Sequence, residues 1–282
     1  MFGIIGDPVS HSLSPLFQAR FAKQHGIDTV YIPLRVKQED VAAALAGMWA
    51  THVEGFNVTV PHKESVASMV QMDEAASLIG AVNTVRRGTD CWQGTNTDWQ
   101  AVREVLHGLG ADLADSEVLL IGAGGTARAV LHALADGLVR RVYICNRSPE
   151  RLSGLMQHAA RTYPAMEVCQ IAWENEDVAA CAQRSAVVIN TTSIGLVEAD
   201  AVFPFALGGK GVALDAVYNP DGQTPFVAAA RKGGRKVVDG LPMLVAQGAA
   251  SFAWWHGVQA DVASVMPWLE ERLGRCRADQ AQ

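Results

Sequence analysis

The amino-acid sequence predicts an α/β protein with mostly parallel strands, divided into two domains. Apolar runs that suit strands alternate with amphipathic stretches that suit helices along nearly the whole chain. A polar, acidic stretch at 110–117 separates an earlier α/β series from a later one. The 282 residues suffice for two domains of ordinary size, and 49% of them are hydrophobic, so each domain can bury a core.

The earlier series begins with the apolar run FGIIG, which suits a buried strand. An amphipathic stretch from Ser14 follows, and after it comes the strand-like pattern VYIPLRV. In chain order we predict a strand at 2–6, a helix at 14–26, a strand at 30–36, a helix at 39–50, a strand at 56–60 and a helix at 98–109.

The later series starts with the fully apolar run VLLI, which suits a parallel strand buried on both faces. In chain order we predict a strand from 118, a helix at 126–137, a strand at 140–148, a helix at 149–160, strands at 185–195 and 211–218, a helix at 225–234 and a strand at 235–240. The apolar segment that follows, LPMLVAQGAASFAWWHG, predicts helices that return to the first domain. One domain therefore comprises 1–100 with the C-terminal helices of 241–282, and the other comprises 101–240.

Composition argues against several classes of protein. A net charge of −6 spread along the chain argues against nucleic-acid binding, and no apolar stretch approaches the roughly 18 residues of a membrane span. The N-terminal sequence has no basic region followed by an apolar run, so we expect no secretory signal and a cytoplasmic location. The five cysteines have no CxxC spacing and the histidines no metal-binding pair, so we expect reduced thiols and no metal site.

A glycine-rich turn joins the strand VLLI to the helix after it. Gly122 permits a tight turn, Gly124 lets the backbone approach a pyrophosphate, and Ala127 is small enough for the helix to press on the strand. Glycines also occur in such turns for structural reasons alone, but this strand–turn–helix context predicts a Rossmann-type, doubly wound parallel sheet that binds a dinucleotide. The predicted contacts are Gly122, Ala123, Gly124, Gly125, Thr126 and Ala127.

The end of the next strand favours NADP over NAD. An NAD site usually has an acidic residue there, which holds the ribose 2′-hydroxyl. This chain instead has Cys145-Asn146-Arg147-Ser148, with Arg151 one turn further on, and two guanidinium groups can clamp a 2′-phosphate. Two ordinary surface arginines are the alternative, but positive charge at a helix start opposes the helix dipole unless an anion binds there. We therefore predict NADP(H) as the cofactor, held by Asn146, Arg147, Ser148 and Arg151.

The earlier series contains neutral hydrogen-bonding side chains near its predicted strand ends. Ser12 and Ser14 lie between the first strand and the first helix. Asn57 and Thr59 belong to the run FNVTV, and Asn83 lies in the sequence AVNT. Each has a structural alternative as a helix cap or a turn former. Together they form a set of donors and acceptors suited to a polyhydroxylated small molecule.

Lys63 and Asp98 are the members of the earlier series that can carry out proton chemistry. A ketone that is reduced by hydride develops negative charge on its oxygen and needs a proton donor within hydrogen-bond reach. An ammonium group held by a carboxylate meets this need, although a structural salt bridge would use the same two residues. His62 is a rival acid, but its neighbour Lys63 should face the opposite way in an extended segment.

These residues, in this order, closely resemble the shikimate dehydrogenase family from about Phe2 to about Leu269. The matching blocks are SHSLSP, GFNVTVPHK, GAVNT, NTD, IGAGGTARA, NRSPER, NTTSIG, DAVYNP, TPF and DGLPMLVAQGA. The resemblance implies reversible, NADPH-dependent reduction of 3-dehydroshikimate to shikimate, with Lys63 and Asp98 as the catalytic pair. It implies substrate binding by Ser12, Ser14, Asn57, Thr59, Asn83, Tyr218 and Gln247. It implies that the nicotinamide lies near Gly240 and Met243 with Thr192 and Ser193 along its path, that the domains close on a cleft, and that the protein forms a homodimer.

Three positions depart from the family pattern. Trp99 follows Asp98 where glycine is common, Pro242 replaces a small residue, and Thr191 stands where alanine is more usual. These changes leave open a relative that acts on quinate or on an amino-substituted shikimate. Two further alternatives are a non-catalytic NADP-sensing module, which would have lost the lysine–aspartate pair, and a folate-linked dehydrogenase, which would not need the SHSLSP serines.

Overall fold

The computed structural model of the protein describes residues 1–196 and 201–275 and contains two compact units. Among the described residues, the first unit comprises Met1–Ala101 and Leu244–Pro267, and the second comprises Val102–Met243 and 268–275. Residues 268–275 therefore group with the second unit, whereas the sequence places all of 241–282 with the first domain. The reason is visible at Arg275, which bonds to Asp239 of the second unit.

The first unit is built around a six-stranded sheet. Its strands are β1 (Phe2–Gly6), β2 (Tyr31–Arg35), β3 (Gly55–Val58), β4 (Gln71–Met72), β5 (Thr84–Arg87) and β6 (Trp92–Thr95). Its helices are α1 (Ser14–Gln24), α2 (Val41–Ala50), α3 (Lys63–Ala67) and α4 (Glu74–Ile79), with the start of α5 (Asp98–Gly108) and most of α10 (Leu241–His256). A short 3₁₀ turn at Gln38–Asp40 precedes α2.

The strand order of the first sheet is β2-β1-β3-β5-β6-β4. The strands β1, β2 and β3 are parallel, as the alternation of strands and helices predicts. The strands β5 and β6 form an antiparallel hairpin, and β5 also pairs with β3 in the antiparallel sense. The sheet is therefore mixed, because β5 and β6 are joined by only four residues and a parallel pair needs a long crossover.

Aromatic side chains pack α10 onto the first unit. Phe21 of α1 and Phe252 of α10 are buried with their ring centroids 5.6 Å apart. The Gln18 side-chain amide donates to the Gly248 carbonyl oxygen at 2.9 Å, and a Cβ atom on Gly248 would overlap the ring of Phe17. The predicted return of the apolar C-terminal segment to the first domain is thus present for α10, which carries Gln247 into this unit.

The second unit contains a fully parallel six-stranded sheet. Its strands are β7 (Glu117–Ile121), β8 (Arg141–Cys145), β9 (Glu167–Gln170), β10 (Val187–Asn190), β11 (Val212–Asp215) and β12 (Lys236–Val238). Its helices are α6 (Gly125–Asp136), α7 (Pro149–Thr162), α8 (Asn175–Arg184) and α9 (Pro225–Lys232), and α11 (Val262–Arg272) ends in this unit. All residues of β10 and β11 are buried, as expected for strands covered on both faces.

The order β12-β11-β10-β7-β8-β9 reverses direction between β7 and β10. A reversal of this kind is the topological switch point at which doubly wound sheets bind their ligands. The prediction of a Rossmann-type sheet is therefore confirmed. Among residues 1–196 and 201–275, no helix is long and apolar enough to cross a membrane.

Candidate active site

Lys63 and Asp98 form a buried ion pair in the first unit. The Lys63 Nζ atom lies 2.6 Å from Asp98 Oδ2, and the side chains are 13% and 4% exposed. Lys63 is the first residue of α3, and Asp98 is the first residue of α5, where the helix dipole favours a negative charge. The two residues are 35 positions apart in the chain, and the fold brings both helix starts to one place.

The amide side chain of Asn83 fixes the other oxygen of Asp98. Its Nδ2 atom donates to Asp98 Oδ1 at 2.8 Å and also lies 3.2 Å from Gln247 Oε1. Its Oδ1 atom accepts from the Thr97 backbone N–H at 2.8 Å. Asn83 precedes β5 directly, and Lys63 begins α3, so two separate segments bond to the carboxylate. Both Asp98 oxygens therefore have a defined hydrogen-bond donor.

Asn57 is 4% exposed and bonds to Asn83, which in turn bonds to Asp98. Its Nδ2 atom donates to the Asn83 carbonyl oxygen at 3.0 Å and has the Ser251 hydroxyl at 2.9 Å. Its Oδ1 atom accepts from the Tyr31 hydroxyl at 2.7 Å. Both ends of the Asn57 amide thus bond to the protein itself, and the side chain holds Asn83 in place.

Ser12, Ser14 and Thr59 lie at the carboxyl ends of β1 and β3. The Ser12 hydroxyl accepts from the Ser14 backbone N–H at 3.2 Å, and Ser14 begins α1. Thr59 follows β3 and is half-buried. His62 is fully buried with a ring nitrogen 2.7 Å from the Val36 carbonyl oxygen, so it faces away from the ion pair, as expected.

Four polar residues of this network were not predicted as site residues from the sequence. They are Tyr31, Thr84, Thr97 and Ser251, whose hydroxyl groups bond to Asn57, Asn83 or each other. Thr97 adjoins Asp98 in the block NTD, so its position was a usable signal. Ser251 is one helical turn after Gln247, whereas Tyr31 had no local signal, because its partner Asn57 is 26 residues away.

The predicted dinucleotide turn lies between β7 and α6 in the second unit. Gly122 has a φ of 114°, and a Cβ atom there would overlap Thr191 at the end of β10. Gly124 is the N-cap of α6, and a Cβ atom there would meet nothing within 4 Å. Gly125, Thr126 and the fully buried Ala127 form the first turn of the helix. The turn therefore packs closely against Thr191 at Gly122. At Gly124 there is open space, where a phosphate group would approach.

The predicted 2′-phosphate site lies between β8 and α7. Asn146 Nδ2 donates to the Ser148 carbonyl oxygen at 2.9 Å, and Ser148 caps α7 by accepting from the Arg151 backbone N–H. Arg147 and Arg151 are exposed, and neither guanidinium group has a hydrogen-bond or ion-pair partner within 1–196 and 201–275. Two unpaired cations at a helix N-terminus fit an anionic ligand, and the NADP-selecting arrangement predicted from the sequence is geometrically available.

The remaining predicted residues lie at the carboxyl ends of β10, β11 and β12. Thr192 donates from its hydroxyl to Asn190 Oδ1 at 2.8 Å, and Ser193 is exposed beside it. A Cβ atom on Gly240 would overlap the Ala216 carbonyl group, and Met243 is buried in the first turn of α10. Tyr218 follows β11 and belongs to the second unit, so it does not lie in the same unit as the other predicted substrate contacts.

Asp215 is a fully buried carboxyl group that links these loops. It accepts from the Asn190 side chain at 2.8 Å, the Val217 backbone N–H at 3.0 Å and the Thr224 hydroxyl at 2.5 Å. These donors are all neutral, and burial raises the pKa of Asp215 to about 7 from 3.8, with Asp239 adding to the increase. In the part of the chain that the structure describes, no group of three or more His, Cys, Asp or Glu side chains could hold a metal ion.

The raised pKa of Asp215 predicts a pH-dependent loss of stability. Between about pH 4 and pH 7 the folded protein keeps a proton that the unfolded chain has released, so the free energy of unfolding falls as the pH rises. Relative to Asp215→Asn, which cannot ionise, the wild type should lose roughly 1.4 kcal/mol per pH unit in this window. Urea denaturation of both proteins at several pH values measures the difference. Parallel profiles would contradict the prediction.

Three family models match the chain, and each matched range contains residues of the site described above. Residues 4–85 match the "Shikimate dehydrogenase substrate binding domain", 104–198 match "Shikimate / quinate 5-dehydrogenase", and 240–266 match the "Shikimate 5'-dehydrogenase C-terminal domain". The first match contains Lys63 and Asn83, the second contains the glycine turn, and the third contains Gln247.

Similar proteins cover nearly the whole chain. A shikimate dehydrogenase (NADP(+)) of Geobacter metallireducens is 37% identical over 92% of each chain, and one of Anaeromyxobacter dehalogenans is 39% identical over 97% of each. The crystal structure of shikimate 5-dehydrogenase from Thermus thermophilus, in complex with NADP(H) and shikimate, has a TM-score of 0.82 and 32% identity. It covers 96% of this chain and 98% of its own. The chain belongs to the shikimate dehydrogenase family.

Proposed function

We propose that the protein is an NADP-dependent shikimate dehydrogenase, which reversibly reduces 3-dehydroshikimate to shikimate. The family membership supports the reaction class, and the buried Lys63–Asp98 ion pair is the observation that carries the assignment to a working enzyme. A protein that only bound the cofactor would have no need for an ammonium group held so closely. The pair is surrounded by amide and hydroxyl groups, which suit a ring with several hydroxyl substituents.

Lys63 is the proposed proton donor for the substrate. When bound, NADPH supplies a hydride to the carbonyl carbon of the ring ketone. The carbonyl oxygen then gains negative charge, and the Lys63 ammonium group supplies a proton to it. In the reverse direction, the neutral amine of Lys63 accepts the hydroxyl proton. Asp98 orients the lysine, because one of its oxygens bonds to Lys63 and the other bonds to Asn83.

The proposed substrate contacts are Ser12, Ser14, Asn57, Thr59, Asn83, Tyr218 and Gln247. The proposed cofactor contacts are the glycine turn, the segment Asn146–Ser148 with Arg151, and Thr192, Ser193, Gly240 and Met243. Support for the cofactor contacts comes from the open space at Gly124 and from the exposed guanidinium groups of Arg147 and Arg151. A homodimer and a cytoplasmic location are also part of the proposal, on the family resemblance and the sequence alone.

Quinate is the second candidate substrate. The family model that matches residues 104–198 is described for both shikimate and quinate dehydrogenases. Trp99 follows the catalytic Asp98 directly and is partly buried, so it is the first position at which substrate range should be tested.

Initial rates with shikimate or quinate, each combined with NADP⁺ or NAD⁺, test the proposed function. We expect fast turnover of shikimate with NADP⁺ and slow turnover with every other pair. The absorbance of reduced nicotinamide measures the rate. Efficient turnover of quinate would favour the broader activity, and NADP⁺ binding without any turnover would contradict the assignment to an enzyme.

Loss of the lysine should abolish most of the rate while NADP⁺ binding persists. We expect Lys63→Ala to lower kcat by roughly 10²–10⁴-fold, the usual contribution of a positioned acid. Lys63→Arg keeps a cation beside Asp98 but cannot give up a proton near neutral pH, so it should be comparably slow. Lys23→Ala changes an exposed lysine in α1 and is the matched control. An unchanged kcat in Lys63→Ala would remove Lys63 from the mechanism.

The two arginines should determine the preference for NADP⁺. We expect the double variant Arg147→Ala and Arg151→Ala to raise the KM for NADP⁺ at least roughly tenfold, since two charge-assisted hydrogen bonds are lost. The KM for NAD⁺ should change little. Arg161→Ala, in the last turn of the same helix α7, is the control. Equal losses with both cofactors would mean that the arginines only support the fold.

A further inference from the structure

The hydroxyl group of Tyr31 bonds to a residue of the proposed substrate site. It donates to Asn57 Oδ1 at 2.7 Å. Tyr31 begins β2 and Asn57 lies in β3, so this bond joins two strands that do not pair with each other. None of the sequence blocks that carry the family resemblance includes Tyr31.

The Asn83 carbonyl oxygen determines which atom donates in each hydrogen bond of this series, because a carbonyl oxygen can only accept. The Asn57 Nδ2 atom donates to the carbonyl oxygen of Asn83, which can only accept, so Asn57 Oδ1 faces Tyr31 and accepts. A phenol has one hydrogen, and Tyr31 gives it to Asn57. The Tyr31 hydroxyl therefore fixes which end of the Asn57 amide faces the Asn83 backbone.

The protonation of Tyr31 is consistent with this order of donors. Burial raises the pKa of the Tyr31 hydroxyl well above its ordinary value of 10, and the nearby Ser14 side chain lowers it by a smaller amount. The hydroxyl therefore stays protonated and keeps donating to Asn57 at any pH at which the enzyme works.

We propose that Tyr31 is a positioning residue for the substrate, which acts by holding Asn57 rather than by touching the substrate itself. Through Asn57 its influence reaches the Asn83 backbone, and Asn83 in turn holds Asp98. This inference rests on the proposed function, because it assumes that the Asn83–Asp98 group faces the substrate.

The ring of Tyr31 has a separate, structural role that phenylalanine can fill. Its centroid lies 6.2 Å from that of Trp255, in a group of rings that joins β2 to α10. Tyr31→Phe keeps this packing and removes one oxygen atom. The variant therefore separates the hydroxyl from the ring, and we expect it to fold.

The experiment compares the kinetics of wild type and Tyr31→Phe in the full chain. We expect the KM for shikimate to rise about tenfold, as for the loss of one buried hydrogen bond with a partner left unpaired. The KM for NADP⁺ should stay unchanged, since Asn57 belongs to the substrate site. Tyr163→Phe removes another tyrosine hydroxyl, 3.2 Å from His132 in the second unit, and should change neither constant.

A double-mutant cycle distinguishes positioning from a general loss of rigidity. If Tyr31 acts through Asn57, adding Tyr31→Phe to Asn57→Ala should raise the KM for shikimate by less than it does in the wild type. An unchanged KM in Tyr31→Phe, independent effects in the double variant, or equal increases for both ligands would overturn the inference. These outcomes leave the proposed function standing if the wild type oxidises shikimate. A wild type that fails to oxidise shikimate would overturn the proposed function and this inference with it.

Discussion

The arrangement of the candidate active site depends on the orientation of the Asn83 amide. One end of the amide donates to Asp98, and the other accepts from the Thr97 backbone N–H. The peptide carbonyl of Asn83 also accepts from Asn57 and from the backbone of β3. Because donors and acceptors surround it in fixed order, the amide has one favourable orientation. Asp98 is held by that orientation, and Lys63 is held by Asp98, so the position of the Lys63 ammonium group depends on a neutral side chain.

The second unit reaches its geometry by different means, namely strand order and close backbone packing. The switch point between β7 and β10 brings the glycine turn beside Thr191, and only glycine at position 122 leaves room for that contact. The loop after β11 is then held from two sides. Asp215 bonds to the Val217 backbone, and Arg275 donates to the carbonyl oxygens of Asn219 and Pro220. Tyr218 lies between these two attachments.

How far the sequence predicts the structure depends on how local each signal is. The parallel strands of the second sheet are predictable, because strands buried on both faces are continuous apolar runs. The hairpin of β5 and β6 was not predicted, because its strands TVRR and WQGT are short and half polar. Lys63 and Asp98 could be selected because few polar residues proposed for the site can exchange a proton. The structure brings the two together although they are 35 positions apart. No local sequence signal singles out the Tyr31 hydroxyl, and only the fold brings it to Asn57.

Three buried carboxyl groups at strand or helix ends differ in the groups that donate hydrogen bonds to them. Asp98 faces the Lys63 ammonium group, and Asp239 receives two hydrogen bonds from Arg275. Asp215 has only neutral donors, and its pKa rises to about 7. Burial among these neutral donors is what raises the pKa of Asp215. Asp239 shows that a cation beside a buried carboxyl group can serve to hold a loop, since Arg275 also donates to the carbonyl oxygens of Asn219 and Pro220. The Lys63–Asp98 pair differs in its surroundings, because the second oxygen of Asp98 accepts from the Asn83 amide, which also bonds to Gln247. These amide side chains, rather than the burial of a charge, set the pair apart.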